Sequence, residues 1–142
     1  MIKLSDHFTL EEMTRSGSAV SMGIKNVPHK KHIENLRALC EQVLEPLREH
    51  MGRPLHINSG YRCPELNTAV GGATFSQHML GQAADVACKD LNESIKMAEF
   101  IASELVFDQC FVETDGRSYW VHVSYRGDKE NRCIGWRMQV KK

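Results

Sequence analysis

The sequence predicts an α+β domain in which a small antiparallel sheet packs with two main helices. Apolar residues recur at three- and four-residue steps over Ile33 to Met51 and again over Leu91 to Leu105, the mark of amphipathic helices. Beyond residue 106 the pattern changes to strand-like runs on either side of Asp115-Gly116, a hairpin signal. Helices followed by antiparallel strands, rather than an alternation of the two, point to α+β. A chain of 142 residues has the length of one domain and can bury roughly 68–70% of its unfolded surface. No repeat or low-complexity linker divides it, so residues 1–142 read as a single domain.

Taken in order, the first clear element starts after Pro28, placed where a first-turn proline is tolerated. Its apolar positions are Ile33, Leu36, Cys40, Val43, Leu44, Leu47 and Met51. Pro46 falls inside that pattern, which predicts a kink or break between Gln42 and Pro46, and Gly52 is the stop. A strand is expected at Leu55 to Asn58, then a turn-rich stretch from Ser59 to Pro64. One or two helical turns over Glu65 to Val70 end at Gly71-Gly72. A short strand holds Ala83 to Ala87. Asp90 caps the second long helix, with Glu93 completing a capping box, and its expected apolar face is Leu91, Ile95, Ala98, Ile101, Ala102 and Leu105. Strands at Phe107 to Thr114 and Tyr119 to Tyr125 flank Asp115-Gly116. A third runs over Ile134 to Val140, with Ile134, Trp136, Met138 and Val140 alternating. Arg126-Gly127-Asp128 reads as a turn.

Charge and composition say where the function is not. Eighteen Lys and Arg balance eighteen Asp and Glu, which removes the simplest electrostatic case for binding nucleic acid or an anionic membrane. No apolar stretch approaches the roughly 18–20 residues that span a bilayer, so no membrane insertion is expected. The start, MIKLSDHFTLEEM, lacks the basic and apolar regions of a secretory signal, so synthesis in the cytoplasm without a signal peptide is expected. Cys40, Cys63, Cys88, Cys110 and Cys133 are widely spaced with no CxxC pair. They read mostly as small buried thiols rather than as a disulfide or zinc framework.

Three residues have the types and settings that suit a metal. His78 sits in the glycine-terminated loop Ser76-Gln77-His78-Met79-Leu80-Gly81. Asp85 interrupts the apolar run Ala83 to Ala87, where a carboxylate is costly to bury without a cation or hydrogen bonds. His122 lies mid-strand in Trp120-Val121-His122-Val123-Ser124. Two imidazoles and a carboxylate would leave a fourth tetrahedral position open, as in catalytic rather than structural zinc sites. The same residues also allow a plain reading, as satisfied strand histidines and an ion-paired or capping aspartate.

The run Ser59-Gly60-Tyr61-Arg62-Cys63-Pro64-Glu65-Leu66-Asn67, then Val70-Gly71-Gly72, then Ser76-Gln77-His78-Met79-Leu80-Gly81-Gln82-Ala83-Ala84-Asp85, and later Trp120-Val121-His122, resembles the D-alanyl-D-alanine carboxypeptidase family of zinc peptidases. The family pattern is SGYR…N…VGG…SxHxxGxAxD followed by WxH, and the likeness is to the short single-domain type found in bacteria and their phages. It spans roughly Phe8 to Tyr125. The resemblance implies the Hedgehog / D,D-peptidase-like zinc peptidase fold, with the zinc site in a cleft and His78, Asp85 and His122 as the Zn2+ ligands. It implies that Arg62 contacts substrate and stabilises the oxyanion, and that Ser76 hydrogen-bonds substrate near the metal.

One departure concerns the general base. Some branches of the family carry an acid three positions before the last histidine, where this chain has Tyr119. The nearest upstream acids are Glu113, favoured as base, and Asp115, favoured as a turn residue. A two-residue hairpin at Asp115-Gly116 pairs Thr114 with Arg117 and Glu113 with Ser118. Glu113 would then lie four residues along from His122, about 13 Å away at strand rise, and a bulge or longer loop would be needed to bring it in.

The resemblance implies a zinc-dependent peptidase acting on peptidoglycan stem peptides, at the D-Ala-D-Ala bond or, as in phage endolysins, the L-Ala-D-Glu bond. A monomer acting at the cell wall or periplasm after release, or carried on a virion, is expected. The alternative is a non-catalytic zinc domain that binds a wall fragment or partner protein.

Overall fold

The computed structural model describes residues 2–127 and 130–141. Six α-helices and five strands are described: α1 (Leu10–Thr14), α2 (Gly17–Met22), α3 (Lys30–Leu39), α4 (Glu45–Met51), β1 (Ile57–Ser59), α5 (Pro64–Ala69), β2 (Ala83–Cys88), α6 (Leu91–Glu104), β3 (Gln109–Thr114), β4 (Tyr119–Ser124) and β5 (Ile134–Val140). A π-helical turn (Cys40–Leu44) joins α3 to α4, and a 3-10 turn (Gln77–Leu80) precedes β2. Among the described residues no helix is long and apolar enough to cross a membrane.

The break expected before Pro46 is the π turn. Pro46 has no N–H to continue the α ladder, and the chain widens by one residue so that the Glu45 N–H reaches the Cys40 carbonyl, a local solution typical of π-bulges. Gly52, at φ 69°, ends the helix as expected. Pro28 is not in a first turn. His29 is the N-cap and Lys30 the first helical residue, so the proline only directs the chain into the cap. The short α1 and α2 lie in a stretch without long periodicity. Each is set by a local cap: the Thr9 hydroxyl with Glu12 in a capping box, and the Ser16 hydroxyl on the Ala19 N–H.

The sheet order is β1-β2-β4-β3-β5. Every neighbour is antiparallel except β5, which runs parallel to β3. The sheet is therefore mixed rather than wholly antiparallel. Both edges of β4 are taken, by β2 and β3, and the returning chain adds to the outer edge of β3. Asp108 guides that return. Its fully buried carboxylate accepts from the Arg132 N–H at 2.8 Å and from Nη2 at 2.7 Å, while the Asp108 carbonyl accepts from the Ile134 N–H at 2.8 Å. The strand over Ile134 to Val140 forms as expected. The side-chain placement of Trp136, Met138 and Val140 lies outside what the structure describes, and Asp128 of the expected turn lies outside the described residues.

Each central strand has two faces of opposite character. Ala84 and Val86, Val121 and Val123, and Cys110 and Val112 are all fully buried on one face. There they join Leu36, Leu39, Val43 and Leu47 of α3 to α4, and Met97, Ala98 and Ile101 of α6, in one core. The α6 face is rotated from the expected one: Ser94 and Met97 are buried and Ala102 is exposed. Ser94 pays its polar cost locally, its hydroxyl donating to the Leu91 carbonyl at 2.7 Å. β1 begins two residues later than the strand expected at Leu55. Of the cysteines, all free, Cys40 and Cys110 are buried, Cys63 and Cys88 half-buried, and Cys133 exposed. Burial pushes the Cys88 and Cys110 thiols up to about 12, which leaves them unreactive packing groups.

Burial pushes the Asp108 carboxyl up, but hydrogen bonds from the Arg132 side chain and backbone outweigh it and hold the group below its ordinary value near 3.8. A depressed carboxylate contributes stability that is present above the unfolded pKa and lost as pH falls through the folded one. We expect Asp108→Ala to cost about 1–3 kcal/mol in urea denaturation at neutral pH, discounted for the half-exposed Arg132 side chain. The gap from wild type should narrow below about pH 4.

Candidate metal centre

The face of the sheet opposite the core carries the polar residues. Asp85 stands in the strand Ala83 to Cys88 because the strand is two-sided: Ala84 and Val86 face the core, and Asp85 faces the other way. The β2–β4 register sets Asp85 directly opposite His122. His122 turns Nδ1 to Asp85 Oδ1 at 3.0 Å, and His78 Nε2 lies 3.3 Å from the same oxygen. The three side chains offer ligand atoms that all lie within 4.8 Å of one another.

His78 is the most buried of the three, at 2% exposure, and it comes from the 3-10 turn rather than a strand. Its Nδ1 donates to the Gly60 carbonyl at 2.7 Å, which fixes the tautomer and frees Nε2 as a ligand. Gly60 must be glycine there, since a Cβ would collide with the Met13 carbonyl. Gly81, at φ 72° against the His32 carbonyl, ends the turn. Burial pushes the Asp85 carboxyl up, but the adjoining His78 and His122 outweigh it and hold it well below the usual carboxylate range. An anionic oxygen facing two imidazoles in a partly desolvated setting fits a divalent transition metal.

A cavity of about 710 Å³ opens over this cluster, and Arg62, Ser76, Glu113 and Trp120 line it along with His78, Asp85 and His122. Arg62 Nη2 donates to Ser76 Oγ at 3.4 Å, and Ser76 Oγ also accepts from the His78 N–H at 3.2 Å. Among the described residues Arg62 Nε has no acceptor. Burial pulls the Arg62 guanidinium below its ordinary value, opposed by the charges of Asp85 and Glu113.

Glu113 reaches the cavity because the hairpin differs from the two-residue form. Residues 115–118 all lie in the loop, so Thr114 pairs with Tyr119 and Glu113 with Trp120. Asp115 causes this. Its Oδ1 accepts from the N–H groups of Arg117 and Ser118 at 2.9 and 2.7 Å, and the Thr114 hydroxyl donates to the Ser118 carbonyl at 2.7 Å. Asp115 is thus a turn residue outside the cavity. The register moves by two residues, leaving Glu113 opposite a position only about 7 Å along the strand from His122. Glu113 is 5% exposed, and its Oε1 accepts from Trp120 Nε1 at 2.8 Å. Trp120 therefore lines the cavity, whereas Tyr61 is core, stacked on His32 at 5.2 Å.

Three contributors carry no local signal in the sequence. Asn26 pins the Arg62 segment, its side chain accepting from the Cys63 N–H at 2.7 Å and donating to the Tyr61 carbonyl at 2.9 Å. Arg132 and Lys141 line the cavity from either end of β5. None of them belongs to a local motif; each arrives through the tertiary fold. His32, in the first turn of α3, is half-buried, and its Nδ1 accepts from the His29 N–H at 3.3 Å.

A family model described as Peptidase M15 matches residues 6–124 of the chain. A 44-residue stretch is 46% identical to a protein of Streptomyces albus G named zinc D-Ala-D-Ala carboxypeptidase, covering 30% of this chain and 17% of that protein.

The protein should take up one equivalent of a divalent transition metal and gain thermal stability as free metal exceeds the dissociation constant. His78→Ala and His122→Ala should each abolish that uptake and the rise in Tm, read by metal analysis and calorimetry. A full equivalent retained by either variant would exclude the triad as the ligand set.

Proposed function

The chain belongs to the peptidase M15 family, and from that premise we propose that it is a zinc peptidase that hydrolyses peptidoglycan stem peptides. The observation that carries the reading is the meeting of His78, Asp85 and His122 in one cavity with Arg62 and Glu113. The likeness to a zinc D-Ala-D-Ala carboxypeptidase supports both metal and substrate.

Zinc held by His78, Asp85 and His122 would acidify a water and polarise the scissile carbonyl. The remaining chemistry falls to this chain's own side chains. Glu113, in the cavity and held by Trp120, takes a proton from the attacking water and returns it to the leaving amine. Among the described residues Arg62 Nε has no acceptor, and the guanidinium keeps its charge at any working pH, so it offers donors to the developing oxyanion or to a substrate carboxylate. Ser76 orients Arg62 and presents its hydroxyl to the peptide.

A monomer is the proposed form, and the substrate places its work at the cell wall or periplasm. The alternative of a zinc domain that binds without cutting leans on Tyr119, which stands where some relatives carry an acid. Glu113 reaching the same cavity through the hairpin register takes that support away.

Zinc-loaded protein incubated with purified muropeptides should yield either loss of one terminal alanine or release of the stem peptide, distinguished by mass. Glu113→Gln should lose at least about 100-fold in rate while retaining its metal. No change in any muropeptide would contradict the reading.

A further inference from the structure

Glu113 is held at both oxygens, by two different strands. Trp120 Nε1 on β4 occupies Oε1 at 2.8 Å, and Lys141 Nζ, one residue beyond β5, lies 3.3 Å from Oε2. A single hydrogen bond fixes one carboxylate oxygen and leaves the group free to pivot about it. Two contacts from different directions fix the plane of the carboxylate and hence the aim of its lone pairs. The ammonium is delivered by the backbone. The parallel ladder pairs Glu113 with Gln139 and Thr114 with Val140, and the Lys141 N–H extends it by donating to the Thr114 carbonyl at 2.6 Å. The Lys141 side chain is 52% exposed and that of Glu113 only 7%. A half-exposed ion pair contributes little to stability, so its consequence lies in the orientation of the carboxylate it touches.

We propose that Lys141 is a positioning residue that, with Trp120, sets the orientation of the Glu113 carboxylate for proton transfer. The proposal rests on Glu113 as the base. Because Lys141 lines the same cavity, the competing role is a direct contact with substrate, and the two differ in kinetics. Misaimed proton transfer lowers kcat, whereas a lost ground-state contact raises KM.

The test is steady-state hydrolysis of muropeptide by the zinc-loaded full chain, comparing wild type, Lys141→Met, Lys141→Arg, Glu113→Gln and the Met/Gln double variant, with Tm and bound metal measured for each. Lys141→Met should lower kcat at least about 10-fold with KM within about twofold. Lys141→Arg should recover most of the loss, and Lys141→Met should cost nothing further in the Glu113→Gln background. A raised KM with unchanged kcat, an equal cost in both backgrounds, or an unchanged kcat would overturn the proposal while leaving Glu113 as base. Wild-type activity in Glu113→Gln would remove the base and the proposal together.

Discussion

The site depends on the registers at which β4 meets its two neighbours. Antiparallel pairing holds directly opposite residues about 4.5–5.5 Å apart and puts alternate side chains on one face. Asp85 opposite His122 is therefore a contact dictated by the ladder, and Glu113 opposite Trp120 is another. A slip of one residue on either side would send the polar set into the core and bring Val121 and Val123 out. The fully buried apolar face of β2, β3 and β4 resists that slip. The core that stabilises the fold is thus also the device that holds the candidate site in alignment.

Two further restraints complete the arrangement. His78 enters from outside the sheet and is locked by the Gly60 carbonyl, which is in turn held against α1 by the Tyr61 N–H to Met13 carbonyl bond at 2.7 Å. The N-terminal helices, far from the chemistry in sequence, therefore set the angle of one imidazole. At the other edge, the pairing of Asp108 with Arg132 starts β5 and carries Lys141 towards Glu113. The polar groups in the cavity are mostly cross-bonded, and such networks rigidify a site when their members are satisfied.

Much of this was legible in the residues. The two long helices, the helical turns over Glu65 to Val70 and the strands follow local periodicity and caps, and the histidines and aspartate follow from a spaced motif whose members recur in order. Pro46 foretold a break but not its form, because a proline removes a donor without saying how the backbone closes the gap. The Asp115-Gly116 pair misled by two residues. That dipeptide suits a tight hairpin, but a carboxylate that captures two later N–H groups makes a longer loop of the same composition, and because the two registers differ by two residues each side chain keeps its face in both, so the burial pattern does not choose between them. The parallel β5, and with it Arg132 and Lys141 in the cavity, was not legible at all, since strand order depends on which edges remain free after the others have paired. The α6 face is not set by apolar residues alone: Ser94, whose hydroxyl is satisfied within the helix, is fully buried beside Met97.

In the proposed site three protein side chains bind the metal, with Glu113 beside it and not among its ligands. The most direct test is a crystal structure of the zinc-loaded protein with anomalous data at the zinc edge. One peak should lie about 2.0–2.2 Å from His78 Nε2, an Asp85 oxygen and a nitrogen of His122, with the fourth position not filled by protein. Glu113 should remain on Trp120. A peak ligated by Glu113 or by a cysteine, or one that leaves out any of the three, would contradict it.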